Sequence, residues 1–145
     1  MESVNLKFGL FWSGSKLSYL RYLTFVSLRK FHPDSEIELY TTDNYSNKDY
    51  NWGCEKQDFE NEIDGIDYMA ELHKLDVKII KTELFDGYPS NYQSDLFRWW
   101  WLKNNSGFYL DTDQIILRSF ADLNRDFDFI CPSYMVQSCG HYTPV

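Results

Sequence analysis

Apolar positions along this chain alternate between a two-residue and a helical rhythm. Asn5 to Trp12 (NLKFGLFW) is a short apolar and aromatic run closed by Ser13-Gly14-Ser15, which predicts a strand and a turn. From Lys16 to Phe31 the positions Leu17, Leu20, Leu23, Ser27/Leu28 and Phe31 recur at the spacing of one helical face, and Pro33-Asp34 stops it. Glu36 to Thr41 (EIELYT) alternates as a second strand and runs into Thr42-Asp43-Asn44. The three segments form a β-α-β unit, so a parallel pair with a right-handed crossover is expected.

Residues 44–67 are polar, acidic and dotted with aromatics, and predict a long surface loop holding a short helix. Asp67 to His73 has helical character, and Asp76 to Lys81 (DVKIIK) predicts a third strand. Ser90 and Gln93 stand at capping-box spacing, which predicts the start of a second long helix. Asn104-Asn105-Ser106-Gly107 closes that helix, with Gly107 assigned the left-handed position that follows a helix. Phe108 to Leu110 predicts a buried strand, with further strands at Gln114–Leu117 and Asp128–Cys131. Helices alternating with strands make an α/β chain, read as one domain over residues 1–145. Ligands of open parallel sheets bind beyond the carboxyl ends of the strands, where Trp12, Asp43 and Asp111 fall.

Composition narrows what such a chain can do. Of 145 residues, 43% are apolar and 19% aromatic, enough for a real core. Fourteen basic against 22 acidic residues leave a net charge of −8, which speaks against non-specific nucleic-acid binding and against polybasic attachment to anionic membranes. A cation is a better helper toward a phosphorylated ligand than a basic patch would be. Cys54, Cys131 and Cys139 lack zinc-finger spacing and are read as free thiols, which suits a reducing cytoplasm. No segment has the apolar length of a transmembrane span, and the N-terminus lacks a signal-peptide pattern.

The densest chemistry lies in Ser94 to Asp113, SDLFRWWWLKNNSGFYLDTD. Asp95 and Arg98 stand three apart on one helix face, and the strand that follows ends in Asp111-Thr112-Asp113. Extended, that strand end would turn both carboxylates to one side. Two neighbouring hard oxygen donors suit Mn²⁺ or Mg²⁺, and those ions suit a diphosphate.

Ser94, Asp95, Arg98, Gly107, Tyr109, Asp111 and Asp113 are contiguous, ordered and spaced as in the DXD-containing glycosyltransferases of the GT-A fold. The block most resembles the sugar-binding-region group that includes yeast mannosyltransferase-type enzymes and the glucosylating clostridial toxins. That resemblance implies a Rossmann-like, mainly parallel sheet flanked by helices, and transfer of a sugar from a nucleotide donor, UDP-linked, with retention. It implies Mn²⁺ or Mg²⁺ as cofactor, with Asp113 ligating the ion directly and Asp111 reaching the ribose and the ion's water shell. Asp95 and Arg98 would hold donor-sugar hydroxyls, Trp12 would stack on the base, and Tyr109 would line the nucleotide pocket. The acceptor, whether glycan, lipid or protein, is not named by these residues.

Each of these residues also has a plainer reading. Paired aspartates cap helices and form turns, an Asp–Arg pair three apart is an ordinary surface pair, and Trp12 and Tyr109 could be core aromatics. Trp99, Trp100 and Trp101 cannot share a helix face, so at least one is expected in the core and another exposed. Asp126 and Asp128 form a second Asp-x-Asp without the upstream pair and are read as a loop feature, and His141 as an isolated histidine. Two other functions compete. An aspartate-nucleophile phosphatase also uses Asp-x-Asp, but Ile115 stands where it wants Thr or Val, and a downstream Lys with an acidic pair is missing. The family normally continues well past its DXD strand, so a non-catalytic nucleotide-sugar-binding fragment that needs a partner is the stronger rival.

Overall fold

The computed structural model describes residues 6–14, 16–44, 65–121, 123 and 130. Its elements run β1 (Lys7–Ser13), α1 (Tyr19–Phe31), β2 (Glu36–Thr42), a 3₁₀ helix (Met69–Leu75), β3 (Val77–Lys81), α2 (Ser90–Asn104) and β4 (Phe108–Leu110). The strands form one four-stranded sheet in the order β3-β2-β1-β4, and every pairing is parallel. Register places Leu10 beside Leu39 and Leu110, and Leu39 beside Ile79. Helices on both faces make this the Rossmann-like α/β arrangement expected of the sequence.

Strand alternation sends each strand's residues to two cores. Phe8, Leu10, Ile37, Leu39 and Leu110 face α1 and the 3₁₀ helix, where Leu17, Phe25, Leu28 and Leu72 close over them. Phe11 faces α2 and packs with Phe97 and Trp101, with Tyr40, Trp100 and Tyr109 at the margin. The three consecutive tryptophans separate as their helical spacing demands. Trp101 is fully buried, Trp100 half-buried and Trp99 exposed. Two glycines make the close approach possible. A Cβ on Gly9 would lie 2.2 Å from the Trp101 ring, and one on Gly107 would lie 2.3 Å from the Lys7 carbonyl.

Several boundaries differ from the sequence reading, each for a local reason. The first helix starts at Tyr19 and not Lys16, because Ser18 is its N-cap and accepts from the Arg21 amide. Leu17 keeps the apolar rhythm but lies outside the helix, its amide donating to Asp67 Oδ1 at 2.9 Å. The predicted capping box at Ser90 does not form. Pro89 is the N-cap, so Ser90 is already helical and its hydroxyl meets that of Ser13. Gln93 is fully buried, and its Nε2 donates to the carbonyls of Asn44 (2.8 Å) and Phe85 (3.1 Å). The end of that helix is capped by Asn105 in an extended conformation, and Gly107, at φ 158°, serves the approach to β1 and not a left-handed cap.

Asp67–His73 becomes a 3₁₀ helix two residues later than predicted. Gln114–Leu117 forms no strand, since the Ile116 amide donates to Ser27 Oγ on α1 (3.0 Å) in place of a sheet partner. The strand expected at Asp128–Cys131, the loop at 45–64, the three cysteines, Asp126 and His141 lie outside the described residues, apart from Ile130.

Candidate functional site

All four strands deliver their carboxyl ends to one edge of the sheet. Trp12 and Ser13 close β1, Thr42 and Asp43 stand at the end of β2, Lys81 ends β3, and Asp111 follows β4. At the β2–β3 side a groove of about 690 Å³ is lined by Thr42, Asp43, Asn44, Lys81, Thr82 and Asp86, among others. Asp86 shapes its wall by accepting from Thr42 Oγ1 (2.9 Å) and Asn44 Nδ2 (3.0 Å). Asp43 is exposed and pairs with Lys81 at 3.2 Å.

At the β4 side, four of the residues singled out in the sequence converge. Arg98 Nη2 donates to both carboxylate oxygens of Asp111, at 3.0 and 3.2 Å, and lies 3.6 Å from Asp95 Oδ1. The guanidinium carbon sits 5.3 Å from the centre of the Tyr109 ring, whose hydroxyl shares a hydrogen bond with Ser94 Oγ at 3.3 Å. The Asp95–Arg98 pair is therefore more than a helix-surface pair, because its cation reaches across to the end of β4. Arg98 Nε is buried with no partner among the described residues.

The electrostatics of Asp111 follow from this setting. Burial is the largest influence and pushes its carboxyl above the usual range, Arg98 pulls it back, and the charge of Asp113 pushes it up again. Two carboxylates thus feel each other at the end of β4. Burial likewise pushes the Tyr109 hydroxyl well up, so it stays protonated as a donor at neutral pH.

Asp113 departs from the extended geometry predicted for it. The backbone turns at Thr112–Asp113, leaving Asp111 half-buried, Thr112 buried and Asp113 exposed. Among the described residues no group of three or more His, Cys, Asp and Glu side chains could hold a metal ion. Asp111 and Asp113 offer hard oxygen donors of the right kind for Mn²⁺ or Mg²⁺, and a bound ion would have to draw its remaining ligands from water or substrate.

Trp12 lies on the α1 side of the sheet and not with the Arg98 cluster. Its Nε1 donates to the Lys16 carbonyl at 2.9 Å, and a side chain on Gly14 would meet the indole at 3.1 Å. Arg21 covers it, with the guanidinium carbon 4.4 Å from the ring centre. Arg21 and Thr24 were passed over in the sequence, and Ser27 was placed only on the helical face; the three fall three apart on α1 and all bond the segment around the aspartates. That repeated polar spacing on the buried side of α1 was the available sign. Asp86 was also missed as a wall-former, and Gln93, read as half of a capping box, instead holds the Asn44 carbonyl from the buried side.

A parallel sheet flanked by helices, with carboxylates, an arginine and aromatics at its carboxyl edge, defines an α/β protein of the Rossmann-like class. A family profile described as "Glycosyltransferase sugar-binding region containing DXD motif" matches residues 21–130, and the chain belongs to that family. No curated protein and no solved structure matches it. No helix among the described residues is long and apolar enough to cross a membrane.

Proposed function

We propose that this protein binds a UDP-linked sugar along the carboxyl edge of its sheet and transfers the sugar to an acceptor with retention of configuration. The observation that carries this reading is the Arg98 guanidinium held between Asp95 and Asp111 beside Tyr109. It gathers a cation and two carboxylates where sugar hydroxyls and a phosphate can be engaged together. Asp95 and Asp111 accept from hydroxyls, and the planar fork of Arg98 donates in pairs to hydroxyl or phosphate oxygens. Trp12 supplies an aromatic face for the base at the end of β1, and Tyr109 walls the pocket while donating through its protonated hydroxyl.

Asp113, with Asp111, would hold Mn²⁺ or Mg²⁺. When bound, the ion supplies Lewis-acid stabilisation of a leaving diphosphate. The charge of Asp113, which pushes the Asp111 carboxyl up, supports this assignment, since a divalent cation relieves it. Charge that builds on the leaving group also meets Arg98, already oriented by its two carboxylates, so little reorganisation is required of it.

Calorimetric titration with UDP and UDP-glucose, with and without Mn²⁺, tests the reading on the wild type and Asp113→Ala. Manganese-dependent binding that disappears in the variant is the expected result. A cooperatively folded wild type that binds neither nucleotide with Mn²⁺ present would sink it.

A further inference from the structure

Arg21 on α1 has no part in the scheme above, yet its guanidinium joins two elements of the site. Nη1 donates to Thr112 Oγ1 at 2.9 Å, while the guanidinium carbon lies 4.4 Å from the centre of the Trp12 ring. Thr112 is the buried middle residue of the Asp-Thr-Asp turn, and Trp12 stands near the end of β1. One side chain therefore touches both the aromatic face and the turn that carries the carboxylates.

The turn is held from α1 more than from the sheet. The pairing of β4 with β1 stops at Leu110. Beyond it Thr24 Oγ1 donates to the Thr112 carbonyl at 2.8 Å, and Ser27 Oγ accepts from the Ile116 amide at 3.0 Å. Positions 21, 24 and 27 lie three apart on one helix face, so α1 acts as a rail along which the turn is fixed. A guanidinium donates in its plane while lying flat over an indole, a planar stacking that the compact ammonium of lysine does not reproduce.

We propose that Arg21 is a positioning residue that fixes the Trp12 face relative to the Asp111–Asp113 turn, so that base and diphosphate are gripped at a set separation. This rests on the donor-binding reading given above. A ligand with a base at one end and a diphosphate at the other needs both anchors in register, whereas a nucleoside or a pyrophosphate alone needs only one. Losing Arg21 therefore weakens the whole ligand more than the losses on its two halves explain. Damage to the site as a whole would weaken all three ligands alike.

The test compares uridine, pyrophosphate and UDP, the last two with Mn²⁺, on wild type, Arg21→Met, Arg21→Lys, Thr112→Val and Thr112→Ser. Arg21→Met, Arg21→Lys and Thr112→Val should each lose roughly tenfold toward UDP and no more than about twofold toward either fragment. Thr112→Ser keeps the hydroxyl and should bind as the wild type does. Variants that keep full UDP affinity, or lose fragments as strongly as UDP, overturn the role of Arg21 while leaving the donor site standing. A wild type that binds none of the three overturns the donor reading itself. Labelling with 5-fluorotryptophan examines the link without any ligand, the Trp12 resonance being identified by its absence in Trp12→Phe. Thr112→Val should shift that resonance and Thr112→Ser should not, and a resonance unmoved by Thr112→Val removes the link whatever binds.

Discussion

Arg98 illustrates how one residue's geometry separates two readings of a motif. A surface pair with Asp95 alone would contribute little, yet Arg98 also meets both oxygens of Asp111 across the gap between α2 and β4. The two side chains are 32% and 37% exposed, so water still screens them and the pair adds only about 1 kcal/mol to stability. Its larger consequence is for ligand. Arg98→Lys keeps the charge and loses the fork, and is expected to weaken a UDP-sugar by about tenfold or more while UDP itself weakens less. Titrating the same variant with both ligands checks this, and equal losses would mean that Arg98 does not contact the sugar. Asp113→Ala should leave the thermal midpoint within a few degrees of wild type, since Asp113 is exposed and outside both cores, while its effect falls on manganese-dependent binding. A large drop in midpoint would make the aspartate a structural turn residue.

Elements were legible in proportion to how far their own residues decide them. The β-α-β start, DVKIIK and the strand before Asp-Thr-Asp could be read because alternation and helical spacing are written locally. Helix starts could not, because Ser18 sets one through a side-chain bond and Pro89 the other through its fixed backbone, neither of which periodicity registers. Gln114–Leu117 looked like a strand because Ile115, Ile116 and Leu117 are apolar, but only Ile116 is buried, and α1 takes its amide. At the site, the grouping of Asp95, Arg98, Tyr109 and Asp111 followed from motif spacing, whereas the turn at Thr112 depended on α1 residues some 90 positions away. Arg29 is the extreme of such non-local decisions. It donates to the carbonyls of His32, Pro33, Ser35, Leu75 and Asp76, tying the end of α1 to the end of the 3₁₀ helix. Arg29→Met strands the less exposed of these acceptors and should cost about 2–3 kcal/mol in a urea titration. A loss within about 0.5 kcal/mol would show that water replaces the guanidinium freely.

For the whole molecule, pH reads how three polar groups, His32 at the end of α1 and the bonded pair Glu38 and Tyr40 on β2, share the burden of stability. Glu38 is 2% exposed on the α2 side of β2. Burial alone would raise its carboxyl, but bonds from Lys7 (3.1 Å), Tyr40 (3.1 Å) and Lys78 (3.4 Å) outweigh that and hold it below its ordinary value of 4.5. A carboxyl lower in the folded state contributes stability above its unfolded value and loses it as pH falls through the folded one. His32 sits under Phe8 and Phe120 with Nε2 accepting the Phe120 amide at 3.2 Å, and burial lowers it below 6.5. A histidine kept neutral in the fold is likewise lost from the stability balance as pH falls below 6.5, earlier than Glu38. Tyr40 runs the other way. Burial, then the charge of Glu38, push it up to about 12, so its contribution holds below 10.0 and fades as pH rises beyond. Urea unfolding between roughly pH 2 and pH 11 should therefore give a plateau from roughly pH 7 to 9 with two successive losses on the acid side and one on the basic side. Replacing His32 with Gln should remove the step that begins near pH 6.5 and spare the one below 4.5. Glu38→Gln should abolish the latter at a cost near 2 kcal/mol at neutral pH, because two lysines are left facing a neutral amide. A stability curve whose acid limb is unchanged in both variants would place the acid-sensitive groups elsewhere in the chain.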